Sequence, residues 1–129
     1  MKFGHEIKPG QIIIKTTDVL LGLMERRFSP LLIKIIADLA KEHGLVMTES
    51  YRSKMHRNDL HGTLPVRAVD IRSWVFDDKK AQEIKHEINR RWEYDYNRPE
   101  KDCAILHRTK NGAMHFHIQC HPHTRRRAV

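Results

Sequence analysis

The chain predicts an α+β fold, a small, mostly antiparallel sheet with helices packed on one face. Three observations lead there. Apolar residues recur at helical spacing in two long stretches, Leu32-Ile33-Ile36-Leu39-Ala40 and Ala81-Ile84-Ile88-Trp92. Short runs rich in β-branched or alternating apolar residues surround them, at 45–50, 66–73, 102–108 and 113–120. Lys110-Asn111-Gly112 is a hairpin-type turn between the last two runs, which makes those strands antiparallel neighbours. A chain of 129 residues accommodates one domain, here with residues 1–10 as an N-terminal arm and 121–129 as a basic tail.

Taken in order, Pro9-Gly10 marks a turn, and Gln11 to Lys15 forms a short strand or packing arm. Asp18 to Arg27 reads as a short amphipathic helix capped by Asp18, with Val19, Leu20, Leu23 and Met24 as its stripe. Ser29 is a good N-cap and Pro30 a good first helical residue, so a helix runs from there to Gly44, a suitable C-terminal cap. A strand follows over 45–50, then a polar, loop-like run to Gly62 and a strand over 66–73. The second long helix opens at Asp77 or Asp78 and ends near Asp95. Strands over 102–108 and 113–120 close the domain. The last nine residues, polar and basic, are expected to fray.

Composition narrows the function classes. Lys and Arg number 24 against 16 Asp and Glu, a net charge of +8. Such a surface attracts nucleic acid, acidic membranes or an anionic polymer such as a cell wall. The two cysteines, Cys103 and Cys120, make no disulfide framework and are expected to be reduced. No run of about 18 apolar residues is present, which excludes a membrane-spanning helix. Met1 to His5 lacks the apolar region of a signal peptide, so synthesis in the cytoplasm is expected.

The chemistry centres on Met114-His115-Phe116-His117-Ile118. Side chains alternate between faces of a strand, so His115 and His117 share one face while Met114, Phe116 and Ile118 share the other. A second segment, His61 to Arg72, offers a loop histidine and then Asp70 between Val69 and Ile71, again pointing away from the apolar face. Two histidines and one aspartate, with a further histidine alongside, suit a catalytic zinc site with an open position.

The order of these features resembles the zinc D-Ala-D-Ala carboxypeptidase and endopeptidase family, which has the hedgehog/DD-peptidase fold, and in particular its small phage and prophage members. The residues that carry the resemblance are Ser50-Tyr51-Arg52-Ser53, His61-Gly62, Arg67-Ala68-Val69-Asp70-Ile71, and His115-Phe116-His117-Ile118-Gln119. It covers roughly residues 45–119. The resemblance implies a Zn2+ site held by His61, Asp70 and His117, with His56 as a rival first ligand. The loop between His61 and Asp70 is longer than in the family's common first motif and lacks its serine and inner glycine. Many relatives carry a glutamate shortly before the last zinc histidine, whereas Lys110 to Met114 contains no carboxylate. His115 then becomes the expected general base, with His107 next in line. Arg52 matches the family's arginine, which can hold a substrate carboxylate or the developing oxyanion. The implied activity is hydrolysis of a peptide bond in peptidoglycan stem peptides. Two other readings are a zinc-binding relative without peptidase activity and a basic nucleic-acid-binding or structural phage protein. Nucleic acid is the less expected partner, because the basic residues are spread along the chain without a recognised motif.

Overall fold

A computed structural model describes residues 7–51, 62–108 and 114–128. Its elements run β1 (Ile12–Ile14), α1 (Thr17–Glu25), α2 (Pro30–His43), β2 (Leu45–Glu49), β3 (Ala68–Arg72), α3 (Asp78–Arg91), β4 (Trp92–Glu93), β5 (Ala104–Arg108), β6 (Met114–Gln119) and β7 (Arg125–Arg126). Five strands form a mixed sheet in the order β1-β2-β3-β6-β5. The β2–β3, β3–β6 and β6–β5 pairings are antiparallel, as expected. β1 is the exception, lying parallel to β2. The chain passes through two helices between these strands, the kind of long connection a parallel pair needs.

The core explains this arrangement. Leu32, Ile35 and Leu39 of α2 and Ala81, Ile84 and Ile88 of α3 are buried together with Leu45, Met47, Val69, Ile71, Phe116 and Ile118 of the sheet. Alternation along β3 and β6 sends those apolar residues to the helices and leaves Asp70, Arg72, His115 and His117 on the other face. Trp92 completes the α3 stripe as expected. The α2 stripe is rotated from expectation: Ile35 is buried, whereas Ile33 is exposed. On α1, Val19 is buried and Leu23 half-buried, but Leu20 and Met24 are exposed. Only one side of this short helix is covered, so part of its amphipathic stripe stays exposed.

Caps depart from the sequence pattern in two places. Thr16, not Asp18, caps α1, its hydroxyl accepting the Val19 N–H at 3.4 Å, and Asp18 lies in the first turn, where its charge favours the helix dipole. Ser29 stands at the N-cap of α2 but makes no side-chain cap bond. Its hydroxyl accepts from the buried Cys120 thiol at 3.3 Å instead. Cys103 and Cys120 are both free and buried. Gly44 ends α2 at φ 77°, where a Cβ would collide with the Lys8 carbonyl oxygen.

The C-terminal tail is not frayed. α3 stops at Arg91 rather than near Asp95, because Trp92 and Glu93 turn extended and pair with Arg126 and Arg125. Thr124 is buried and its hydroxyl donates to the Tyr94 carbonyl at 2.7 Å. The Glu93 carboxylate accepts from Arg125 Nε at 2.8 Å and Arg127 Nη1 at 3.4 Å. A run of like charges reads as a solvated tail until its counter-charges, 32 and 34 residues away, are brought beside it. Among the described residues no helix is long and apolar enough to cross a membrane.

Candidate functional site

The register of three strands builds the site. Asp70 of β3 lies directly opposite His117 of β6, and Arg72 opposite His115. On the far side of β6, Ile105 pairs with His117 and His107 with His115. Because these residues occupy the face away from the helices, one carboxylate and three imidazoles converge there. Asp70 Oδ1 lies 3.1 Å from His117 Nδ1, and Asp70 Oδ2 lies 3.8 Å from His115 Nε2. The His107 and His115 rings meet edge to face with centroids 4.0 Å apart. An open groove of about 550 Å3 runs from His107 and His117 to Gln119 and the 100–102 segment.

Hydrogen bonding orients the His117 ring. Gln119 Nε2 donates to the Asp102 backbone carbonyl at 2.8 Å, and a carbonyl can only accept. The amide is therefore oriented with Oε1 towards His117 Nε2, at 3.2 Å. An amide oxygen also only accepts, so Nε2 must carry the hydrogen. His117 thus turns Nδ1 towards Asp70 Oδ1 at 3.1 Å. At 3.1 Å Nδ1 and the Asp70 carboxylate are close enough to share a hydrogen, and both are donors of the kind that a metal ion takes. The donor set, neutral imidazole and carboxylate, fits zinc. A histidine ligand whose other ring nitrogen donates to a fixed acceptor is the usual arrangement around such an ion.

Of the residues expected at the site, Asp70, His115 and His117 are brought together, with His107 beside them. His61, the rival ligand His56 and Arg52 lie outside the described residues. Gln119 was not among the expected residues. Its signal was present, since it follows His117 by two positions and so shares its strand face, but its anchor is a main-chain carbonyl that sequence does not display.

Elsewhere among the described residues, two groups of side chains have three possible donor atoms within 4.8 Å of one another, Asp95-His121-His123 and Glu42-His43-Glu87. The first joins a second HxH pair, expected to belong to the tail, to a buried aspartate. Its donors are already engaged. Asp95 accepts the Asn97 N–H at 3.0 Å and Arg98 Nε at 3.0 Å, and His123 Nδ1 lies 3.3 Å away. The Asn97 amide foremost, and then Arg98, hold the Asp95 carboxyl down to about 2. His121 Nδ1 accepts the His123 amide at 3.1 Å, and burial lowers the affinity of that ring for a second proton despite the nearby Asp95. This cluster is a hydrogen-bonded corner that seats the tail.

No protein-family model, no curated protein and no solved structure matches the chain.

Proposed function

We infer that the chain is a zinc metallopeptidase acting on a peptide bond in peptidoglycan stem peptides, with Asp70, His117 and His61 as the metal ligands. The observation that carries this reading is the confrontation of His117 Nδ1 and Asp70 Oδ1 at 3.1 Å, with Gln119 Oε1 requiring the hydrogen on the opposite ring nitrogen. The resemblance to the zinc D-Ala-D-Ala peptidases supplies the third ligand and the substrate class. Zinc, when bound, polarises a carbonyl and brings the pKa of water towards ~7.

The chain's own residues divide the remaining work. His115, 3.8 Å from Asp70 through Nε2, can take the proton of the attacking water and return it to the leaving amine. The Arg52 guanidinium counters the charge that develops on the scissile carbonyl oxygen. The groove beside His117 presents Glu100, Lys101 and Asp102 at its rim, which offers charges of both signs to a peptide. A net charge of +8 favours approach to an anionic wall polymer.

Metal analysis of the untagged protein, followed by mass spectrometry of digested peptidoglycan, tests the reading. His117→Ala should lower the zinc content by one equivalent and abolish release of cleaved stem peptides. His115→Ala should keep the zinc and lose the cleavage. Zinc retained in full by His117→Ala would refute the site. Zinc bound normally with no cleavage of any stem peptide would make the chain a non-catalytic zinc-binding protein.

A further inference from the structure

The second cluster, Glu42-His43-Glu87, differs from the Asp95 corner in what its charges leave over. It forms where the C-terminal turn of α2 meets α3. Arg91 lies across both carboxylates, with Nη1 2.6 Å from Glu42 Oε1 and Nη2 2.7 Å from Glu87 Oε1. The guanidinium thus uses one oxygen of each. The other two oxygens turn towards His43 Nε2, at 3.8 Å for Glu42 Oε2 and 3.9 Å for Glu87 Oε2. That nitrogen is buried and has no hydrogen-bond partner among the described residues. The ring is kept in place by an edge contact with Phe76. A water-sized cavity between the two helices opens beside the cluster, floored by Ile35, Leu39, Ile84 and Ile88.

Charge and distance point the same way. Two carboxylates against one guanidinium leave a negative charge uncompensated when His43 is neutral. A gap of 3.8–3.9 Å is too long for a hydrogen bond. It is within reach of two donors on one ion: ligands at ~2.1 Å are ~3.4 Å apart at a tetrahedral angle, so the side chains need to close by only a few tenths of an ångström to hold one. An imidazole nitrogen with two carboxylate oxygens suits a divalent transition metal better than calcium, which prefers six or more oxygens. Arg91 stays on the outer oxygens and orients both carboxylates.

We propose that Glu42, His43 and Glu87 form a second metal site, for a zinc-class divalent cation, which clamps the end of α2 to α3. It shares no residue with the Asp70–His117 centre, and its role is structural. The competing occupant is a proton, either shared by the two carboxyls or carried by His43.

Zinc binding and thermal melting of the full chain decide between them, measured on Asp70→Asn and on Asp70→Asn combined with Glu87→Gln or His43→Gln. The Asp70→Asn protein should still bind one zinc per chain. Zinc at a hundredfold excess over its dissociation constant should raise its melting temperature by roughly 10 °C. Either added substitution should abolish both effects. His43→Gln removes no carboxylate and serves if Glu87→Gln does not fold. The site is overturned if Asp70→Asn binds no zinc, or if its zinc survives both added substitutions. Zinc lost in Glu87→Gln alone but not in Asp70→Asn keeps this site and sinks the catalytic one; the reverse pattern sinks this site alone.

Discussion

Replacing Gln119 by leucine tests the central argument about His117. Gln119 is nearly buried, and leucine fills a similar volume, so packing is largely kept. Two hydrogen bonds disappear, from His117 Nε2 at 3.2 Å and to the Asp102 carbonyl at 2.8 Å. At about 0.5–1.5 kcal/mol net for each, stability falls by about 1–3 kcal/mol. The larger diagnostic is metal affinity. Without Oε1 the Nε2–H loses this acceptor, and the ring loses one of the contacts that aim Nδ1 at Asp70. Loss of such a supporting partner typically weakens metal binding about 10- to 100-fold, equivalent to about 1.4–2.7 kcal/mol. Competition with a chromophoric chelator measures that affinity, and nitrogen-15 correlation spectra of labelled histidine report which ring nitrogen carries hydrogen. Gln119→Glu keeps an acceptor for Nε2–H and should retain the affinity that leucine loses. A zinc dissociation constant within about twofold of wild type in Gln119→Leu, against the loss expected of such a partner, would refute the reasoning. So would a bare Nε2 on His117 in the metal-free wild type.

Three other consequences are open to measurement. A Cβ at Gly22 would collide with Ser50 Oγ and lie 3.2 Å from the Tyr51 amide nitrogen. Ser50 is held by its bond to the Val19 carbonyl at 2.8 Å, so Gly22→Ala should cost about 1–2 kcal/mol in denaturant titration despite the better helix propensity of alanine. Asp95 has its carboxyl depressed to about 2 by the Asn97 amide and Arg98, from an ordinary value of 3.8. A depressed carboxylate contributes stability above its unfolded value and loses it as pH falls through the folded one. Wild type should therefore lose stability between pH ~4 and ~2, and Asp95→Asn should show a shallower fall over that window; parallel curves would count against the corner. Burial pushes the Cys103 thiol up to about 12 and raises that of Cys120. Neither should react with a thiol reagent at pH ~8 until the protein is denatured, and rapid labelling of the native state would contradict their burial.

Much of the scaffold was legible because periodicity is written within single elements. The 3.6-residue recurrence of Ala81, Ile84 and Ile88 needs no partner to be read, and all three are buried as it implies. The same holds for the strands, where Val69 and Ile71 flank Asp70, and Phe116 separates His115 from His117. Where an apolar stripe was broader than the surface available to cover it, as on α1, periodicity overstated the core. The tail misled for a related reason, since Arg125 and Arg127 find Glu93 only after α3 has reversed the chain.

By itself the sequence determined which side chains leave the apolar face, and so which residues can do chemistry: Asp70, His115 and His117 on one side of two strands. It could not determine that Asp70 stands opposite His117, a pairing across 47 positions. Register depends on how the buried faces of several strands fit the helices together, and a slip of one residue would invert every side chain. Only that tertiary fit set His117 between a carboxylate and the Gln119 amide. It likewise drew Glu42 and His43 of one helix towards Glu87 of another, at distances that no local pattern encodes.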